Sequence, residues 1–258
     1  MLKKIINKAK NSKKQLLKYA NYLSDFASNY IKNSISDGYI IGLSGGIDSA
    51  VVLALLANNK SQKLMGVFID IDSSDLDRQC AKQMKEKFNF IYQYVDLTSQ
   101  YKQLVKALNL TSSLASNNLK SRMRMITLYA LAQENNLLVA GTSNADELLV
   151  GYYTKFGDSC SDVSFLCRLT KSQINYLAKQ LEIPEIIINR VPSASLYEGQ
   201  TDEKEIGIDY ATLDRYLAYG STGEQVKYQI KMKYQRSLHK IKGPKKPKKL
   251  FCLKTLKY

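Results

Sequence analysis

Histidine is almost missing from this chain. The single one, His239, lies near a lysine-rich end with no nucleophile motif beside it. A hydrolase built on a Ser-His-Asp or Cys-His constellation would have to use it, so that chemistry is not expected. Cysteine is also scarce. Cys80, Cys160, Cys167 and Cys252 include no C-x-x-C pair, and with one histidine to join them they give neither a zinc-ligand pattern nor a disulfide framework. Apolar runs are too short to span a bilayer. The first residues, MLKKIINKAKNSKKQ, are basic but lack the apolar core and cleavage site of a signal peptide. The expectation is a mature cytoplasmic protein without a membrane partner. Negative charge is the last scarcity: 38 Lys and Arg against 23 Asp and Glu leave a net charge of +15. That balance fits nucleic acid, anionic small ligands or sequence drift. The lysines gather in Lys3–Lys18 and Lys240–Lys257, which weakens the case for a nucleic-acid groove.

What is present is organised around Tyr39–Leu56, YIIGLSGGIDSAVVLALL. It reads as a buried strand, a loop of small residues and a buried helix. Gly45 and Gly46 let a ligand approach the backbone and permit positive φ. The free N–H groups and the dipole of the following helix then face an anion. Ser44 and Ser49 add hydroxyls. Asp48 would be an awkward neighbour for a pyrophosphate unless Mg²⁺ lies between them. The Gly-Lys-Ser/Thr ending of the common nucleotide loop is absent.

The 258 residues, 45% of them hydrophobic, are enough for one large domain. From about Leu2 to Ile31 apolar residues recur at helical spacing with lysines opposite, predicting one or two amphipathic helices whose stripe belongs to the core. Strands are predicted at Lys63–Ile71, Phe90–Val95 and Leu137–Thr142. Helices are predicted at Ser73–Phe88, Tyr101–Leu108, Asn117–Asn135, from Thr170 to about Leu181, over Ala211–Leu217 and from Glu224 to Lys240. Strand–helix alternation implies a doubly wound parallel α/β sheet, with ligands at the carboxyl ends of its strands. Arg122 and Arg124 sit beside a run of Met, Ile and Leu, where guanidinium groups are not buried without anionic partners. Thr170 and Gln173 form a capping box. Lys171 occupies the first helical position against the dipole, which hints at an anion nearby. Gly151–Asp162, GYYTKFGDSCSD, has the composition of a functional loop, although a solvated surface loop has it too. No internal repeat is visible. The division is one α/β domain over residues 1–242 and a basic tail over 243–258.

The loop SGGIDS resembles that of the ATP pyrophosphatase superfamily, of the adenine-nucleotide alpha-hydrolase-like fold. The order SGGIDS, SRMRM, LVAGTSNADE, GYYTKFGDSCSD, LTKSQ, PSASL, GQTDEKEIGIDY, HK closely resembles the ammonia-dependent NAD⁺ synthetase family, from about Ile40 to Lys240. The resemblance implies a carbon–nitrogen ligase. ATP adenylates the nicotinate carboxylate of deamido-NAD⁺, and ammonia displaces AMP. With no glutaminase segment present, free ammonia is the expected nitrogen source. By matching position, Gly42, Leu43, Ser44, Gly45, Gly46, Ile47, Asp48 and Ser49 would bind ATP together with Thr142, Lys171 and Ser193. Asp48 and Glu147 would bind Mg²⁺. Arg122, Lys155, Asp162, His239 and Lys240 would bind deamido-NAD⁺. The family also implies a homodimer, with the N-terminal helix and the helix around Arg122 as interface surfaces. Without the family, His239 reads as an ordinary surface residue.

One segment departs from the family. Asp70–Arg78, DIDSSDLDR, lacks the proline- and glutamine-containing pattern of a loop that ordinarily closes over ATP. Two competing readings remain at this level. One is a tRNA-modifying ATP pyrophosphatase, favoured by the charge but lacking an RNA-binding module and a catalytic cysteine pair. The other is a catalytically inactive nucleotide-binding module, disfavoured because Asp48 and Glu147 are both present. Nucleic acid is therefore not an expected partner.

Overall fold

A computed structural model describes residues 13–58, 62–194, 196–197 and 199–241. The start of the amphipathic stretch expected from about Leu2, and the basic tail over 243–258, fall outside these residues. The first described element is helix α1, Lys13–Lys32. Its apolar residues Leu16, Ala20, Leu23 and Ala27 recur every three or four positions and are all buried. They pack against α2, Ile47–Ala57, and α7, Lys171–Gln180. Ser24 fixes the docking by donating to the Leu55 carbonyl at 2.9 Å. The apolar stripe of α1 is core, as its periodicity implied.

The sheet has strand order β3-β2-β1-β4-β5, all parallel. The strands are β1, Gly38–Gly42; β2, Lys63–Asp70; β3, Ile91–Asp96; β4, Leu137–Gly141; and β5, Val163–Ser164. The central strands are continuous apolar runs because helices cover both their faces. Tyr39 and Ile41 join the core beneath α1, α2 and α7. Ile40, Val67, Ile69 and Val139 join the core on the other face, beneath α5, Ser113–Glu134. The period-two alternation of a strand divides them this way. Helix α2 is apolar all round and has nine buried residues, so it lies inside the molecule rather than on its surface.

The remaining helices are α3, Asp75–Lys87; α4, Thr98–Ala107; α6, Ala145–Val150; α8, Glu185–Ile188; α9, Asp202–Ile206; α10, Tyr210–Tyr219; and α11, Glu224–Ile241. Helices α6, α9, α10 and α11 share a separate apolar cluster that includes Leu149, Ile206, Leu213 and Ile230. Several boundaries differ from expectation through local caps. Helix α5 begins at Ser113 rather than Asn117 because Ser112 Oγ accepts from Ala115 N at 3.4 Å. Helix α4 begins three residues before Tyr101. Strand β5 has only two residues, too few for a periodicity, and was not foreseen.

Candidate active site

Strand order reverses between β1 and β4, and at such a switch point the carboxyl ends of two strands open a crevice. The loop leaving β1 and the turn leaving β4 meet there. A cavity of about 330 Å³ opens between them, lined by Gly42, Leu43, Ser44, Gly46, Ile47, Asp48 and Ser49 of the first, and by Thr142 and Glu147 of the second. Lys171 and Ser193 also line it. Of the residues expected to hold ATP, only Gly45 lies off the wall.

The loop after β1 is held in shape by its own hydroxyls. Ser44 Oγ accepts from Gly46 N at 3.2 Å and contacts Ser49 Oγ at 3.1 Å, while Ser49 Oγ donates to the Gly46 carbonyl at 3.0 Å. Gly45 has φ +75°, and a Cβ there would come within 3.0 Å of the Asp77 Cα. Glycine is required for both reasons. Gly46 caps α2 without a side-chain bond, so the first N–H groups of a largely buried helix face the cavity, as an anion site needs.

Asp48, Glu147 and Lys171 form the charged centre. Lys171 Nζ donates to Asp48 Oδ2 at 2.5 Å, which resolves its odd place at the start of α7: its anion in this structure is Asp48. Asp48 Oδ1 accepts from Asn144 Nδ2 at 3.1 Å, and Asn144 N donates to Glu147 Oε2 at 3.1 Å. Asn144 thus ties the two carboxylates together, a role that its place in TSNADE did not disclose. Burial, and then the charge of Asp48, hold the Glu147 carboxyl well above the usual range. Burial alone would lower Lys171, but the charges of Asp48 and Glu147 outweigh it and hold the ammonium above its ordinary value. Two carboxylates tied together through Asn144 also suit a divalent cation. Their hard oxygens are of the kind magnesium takes alongside phosphate oxygens and water. Among the described residues no cluster of three or more His, Cys, Asp or Glu side chains offers a self-sufficient metal site.

Two further groups brace the rim. Arg190 donates through Nη2 to Asp77 Oδ1 at 2.6 Å and through Nη1 to the Gly45 carbonyl at 3.1 Å. It joins the glycine loop to the start of α3, where Asp77 completes a capping box with Ser74. Nothing in the sequence around Arg190 signalled this. The divergent Asp70–Arg78 segment is an ionic turn. Asp70 is 1% exposed and accepts from Arg78 Nε at 2.7 Å, Ser73 N at 2.9 Å and Tyr94 Oη at 3.0 Å. Burial works to raise the Asp70 carboxyl, but these donors prevail and hold it below the usual range.

The residues expected to hold deamido-NAD⁺ lie elsewhere. None of Arg122, Lys155, Asp162, His239 and Lys240 lines the cavity. Arg122 is exposed, and its Nε donates to the Lys155 carbonyl at 3.3 Å. Lys155 Nζ lies over the Phe156 ring, 5.0 Å from its centroid. Asp162 Oδ2 accepts from Val139 N at 2.7 Å, joining the Gly151–Asp162 loop to β4. Lys240 Nζ donates to the carbonyls of Gly151 and Tyr153, both at 2.7 Å, which pins the other end of that loop to α11. His239 is exposed.

Comparison with known proteins adds a consistent set of relatives. A family model described as NAD synthase matches residues 19–244. An NH(3)-dependent NAD(+) synthetase of Mycoplasma genitalium is 41% identical over 244 residues, covering 92% of this chain and 97% of the relative. One of Syntrophomonas wolfei is 38% identical over 231 residues, covering 87% and 93%. Among solved structures, an NMN synthetase from Francisella tularensis has a TM-score of 0.86 at 35% identity, covering 90% of this chain and 98% of that one. An NH3-dependent NAD synthetase from Campylobacter jejuni has a TM-score of 0.76 at 29% identity, covering 90% and 99%.

Proposed function

The chain belongs to the NAD synthase family and is a ligase that makes NAD⁺ with ammonia, and from that premise we propose how its cavity carries the reaction. ATP lies with its phosphates across Gly42–Ser49, at the start of α2, and within reach of Thr142, Lys171 and Ser193. The nicotinate carboxylate of deamido-NAD⁺ attacks the α-phosphorus, the bond to the β-phosphate oxygen breaks, and pyrophosphate leaves. Ammonia then attacks the acyl carbon, AMP leaves with the bridging oxygen, and the surplus proton passes to solvent. A mixed anhydride needs no enzymic nucleophile, so the catalytic contribution is positioning and charge stabilisation. Asp48 and Glu147 would hold Mg²⁺, which when bound neutralises charge on the phosphates. Lys171 lies on the same carboxylates and can turn its ammonium from Asp48 to a phosphate oxygen. The observation that carries this reading is the meeting of the glycine loop, Asp48, Glu147 and Lys171 at the β1/β4 crevice.

Arg122, Lys155, Asp162, His239 and Lys240 would contact deamido-NAD⁺ from outside the cavity of their own chain. That placement suits a homodimer in which the dinucleotide reaches towards a subunit boundary. Leu114 and Ile126, 70% and 59% exposed on α5, give such a boundary apolar contacts. We take the enzyme to work in the cytoplasm, where its substrates are made.

Purified protein mixed with ATP, Mg²⁺, deamido-NAD⁺ and an ammonium salt should form NAD⁺, followed with a coupled dehydrogenase. Omitting any one component should abolish the signal. NAD⁺ formation that persists without ATP would refute the adenylation route. A second reading concerns the acceptor. The Francisella tularensis relative is an NMN synthetase, and here the residues assigned to the dinucleotide lie off the cavity wall. Nicotinate mononucleotide is therefore the competing acceptor. A kcat/KM higher for the mononucleotide than for deamido-NAD⁺ would move the assignment.

A further inference from the structure

Three cations line the cavity among the described residues: Arg124, Lys171 and Arg190. Two are matched to protein carboxylates, Lys171 to Asp48 and Arg190 to Asp77. Arg124 is not. Its Nε donates to the Ile69 carbonyl at 3.2 Å, at the carboxyl end of β2. No described carboxylate forms an ion pair with it. Asp77, Asp70 and Asp158 act on it through space, and burial pulls its guanidinium below the usual arginine range. A partly buried cation without an anion is costly unless something supplies one.

Helix phase explains why Arg124 and not Arg122 faces inward. On α5 the cavity wall includes Asn117, Ser121, Arg124 and Leu128, spaced by three or four residues as one face of a helix requires. Arg122 and Arg124 are two positions apart, about 200° around the axis, so both cannot serve one site. The Nε bond fixes the guanidinium plane. Its two Nη groups make no hydrogen bond to a described residue and remain for a ligand. A planar fork of N–H donors matches the paired oxygens of a carboxylate or phosphate.

We propose that Arg124 is a further oxyanion-binding residue of this cavity, gripping through its Nη groups a phosphate or carboxylate brought by one of the two nucleotide substrates. This rests on the NAD⁺-forming reading for the identity of those substrates. The oxyanion comes either from ATP or from the nicotinate substrate, and binding measured with each alone separates the two sources.

The test uses full-length Arg124→Gln and Arg124→Lys. Calorimetry would give affinities for ATP with Mg²⁺ and, separately, for deamido-NAD⁺, and thermal melts would be taken without ligand. Loss of the fork should weaken one of the two nucleotides by tenfold or more in Arg124→Gln. Arg124→Lys should recover only part of that, since an ammonium is a point charge. The unliganded melting temperature of Arg124→Gln should stay level or rise, because an unmatched cation has been removed; a merely structural arginine would lower it. Should Arg124→Gln fail to fold, the Lys variant still decides, by a several-fold loss for one nucleotide only. Both affinities within twofold of the unsubstituted protein would overturn the proposal. Failure of the wider reading has a different signature: no NAD⁺ from the unsubstituted protein, whatever the Arg124 variants bind.

Discussion

The two halves of the predicted site are built in opposite ways. On the ATP side the expected residues converge: the glycine loop, Thr142, Glu147, Lys171 and Ser193 surround one cavity. On the dinucleotide side the expected residues scatter and hold other things. Asp162 ties a loop to β4, and Lys240 caps the carbonyls of Gly151 and Tyr153. The first half gathers at the carboxyl ends of β1 and β4, joined there by Lys171 from the start of α7 and Ser193 from the segment between α8 and α9. The second consists of helix surfaces and one loop, whose assembly into a site calls for the dinucleotide and, on our reading, a second chain.

The largest test of that contrast is Asp48→Asn. It removes the partner of Lys171 and a carboxylate we propose as a magnesium ligand, and NAD⁺ formation should fall at least about 100-fold, roughly 2.7 kcal/mol of lost transition-state stabilisation. A loss below tenfold would mean that the convergent half is not the reacting centre. Next comes Gly45→Ala. With φ at +75° and a Cβ pressed against Asp77 and the Arg190 guanidinium, it should destabilise the fold by about 1–2 kcal/mol, a few degrees in Tm for a chain of this size. Calorimetric melting reads this directly, and an unchanged Tm would show that the loop is softer than drawn.

Lys240→Met probes the scattered half. It removes two bonds to carbonyls, so Tm should fall by about 1 kcal/mol equivalent, while KM for deamido-NAD⁺ rises several-fold and KM for ATP stays put. Equal changes in both KM values would erase the division between the halves. The smallest effect concerns acid. The Asp70 carboxyl titrates below its unfolded value. Its stabilisation is therefore full above an unfolded pKa of about 3.9 and is lost as pH falls through the lower folded value. Asp70→Asn should be less stable than the parent at pH 7, with the gap narrowing as the pH is brought below 4. A constant gap in denaturant midpoints across that range would exclude the carboxylate as its source.

How much of this was legible depended on distance along the chain. The strand, loop and helix around SGGIDS could be read because its signals are contiguous: small residues at the turn and apolar residues on both sides. Lys171 advertised an anion by opposing its helix dipole, although the first anion it meets is Asp48. Arg190 carried no such mark, since its partners Gly45 and Asp77 are near it only after folding. Arg122 and Arg124 were both read as guanidiniums in need of an anion, and only Arg122 matched the family; it is folding that puts Arg124, with Asn117, Ser121 and Leu128, on the inward face. Asp70 looked like a departure from a pattern, and only the arrival of Arg78 and Tyr94 shows a replacement structure.

The Arg190 tie has a consequence for how the protein is assembled. The Gly45 carbonyl is met by a guanidinium 145 residues downstream, and Asp48 by an ammonium 123 residues downstream. Closing segments of that length costs entropy before either contact can return any stabilisation. During synthesis from the N-terminus, the glycine loop emerges early but lacks the two cations that position it until most of the chain has followed. The motif easiest to recognise in the sequence thus depends for its working shape on two cations supplied far along the chain.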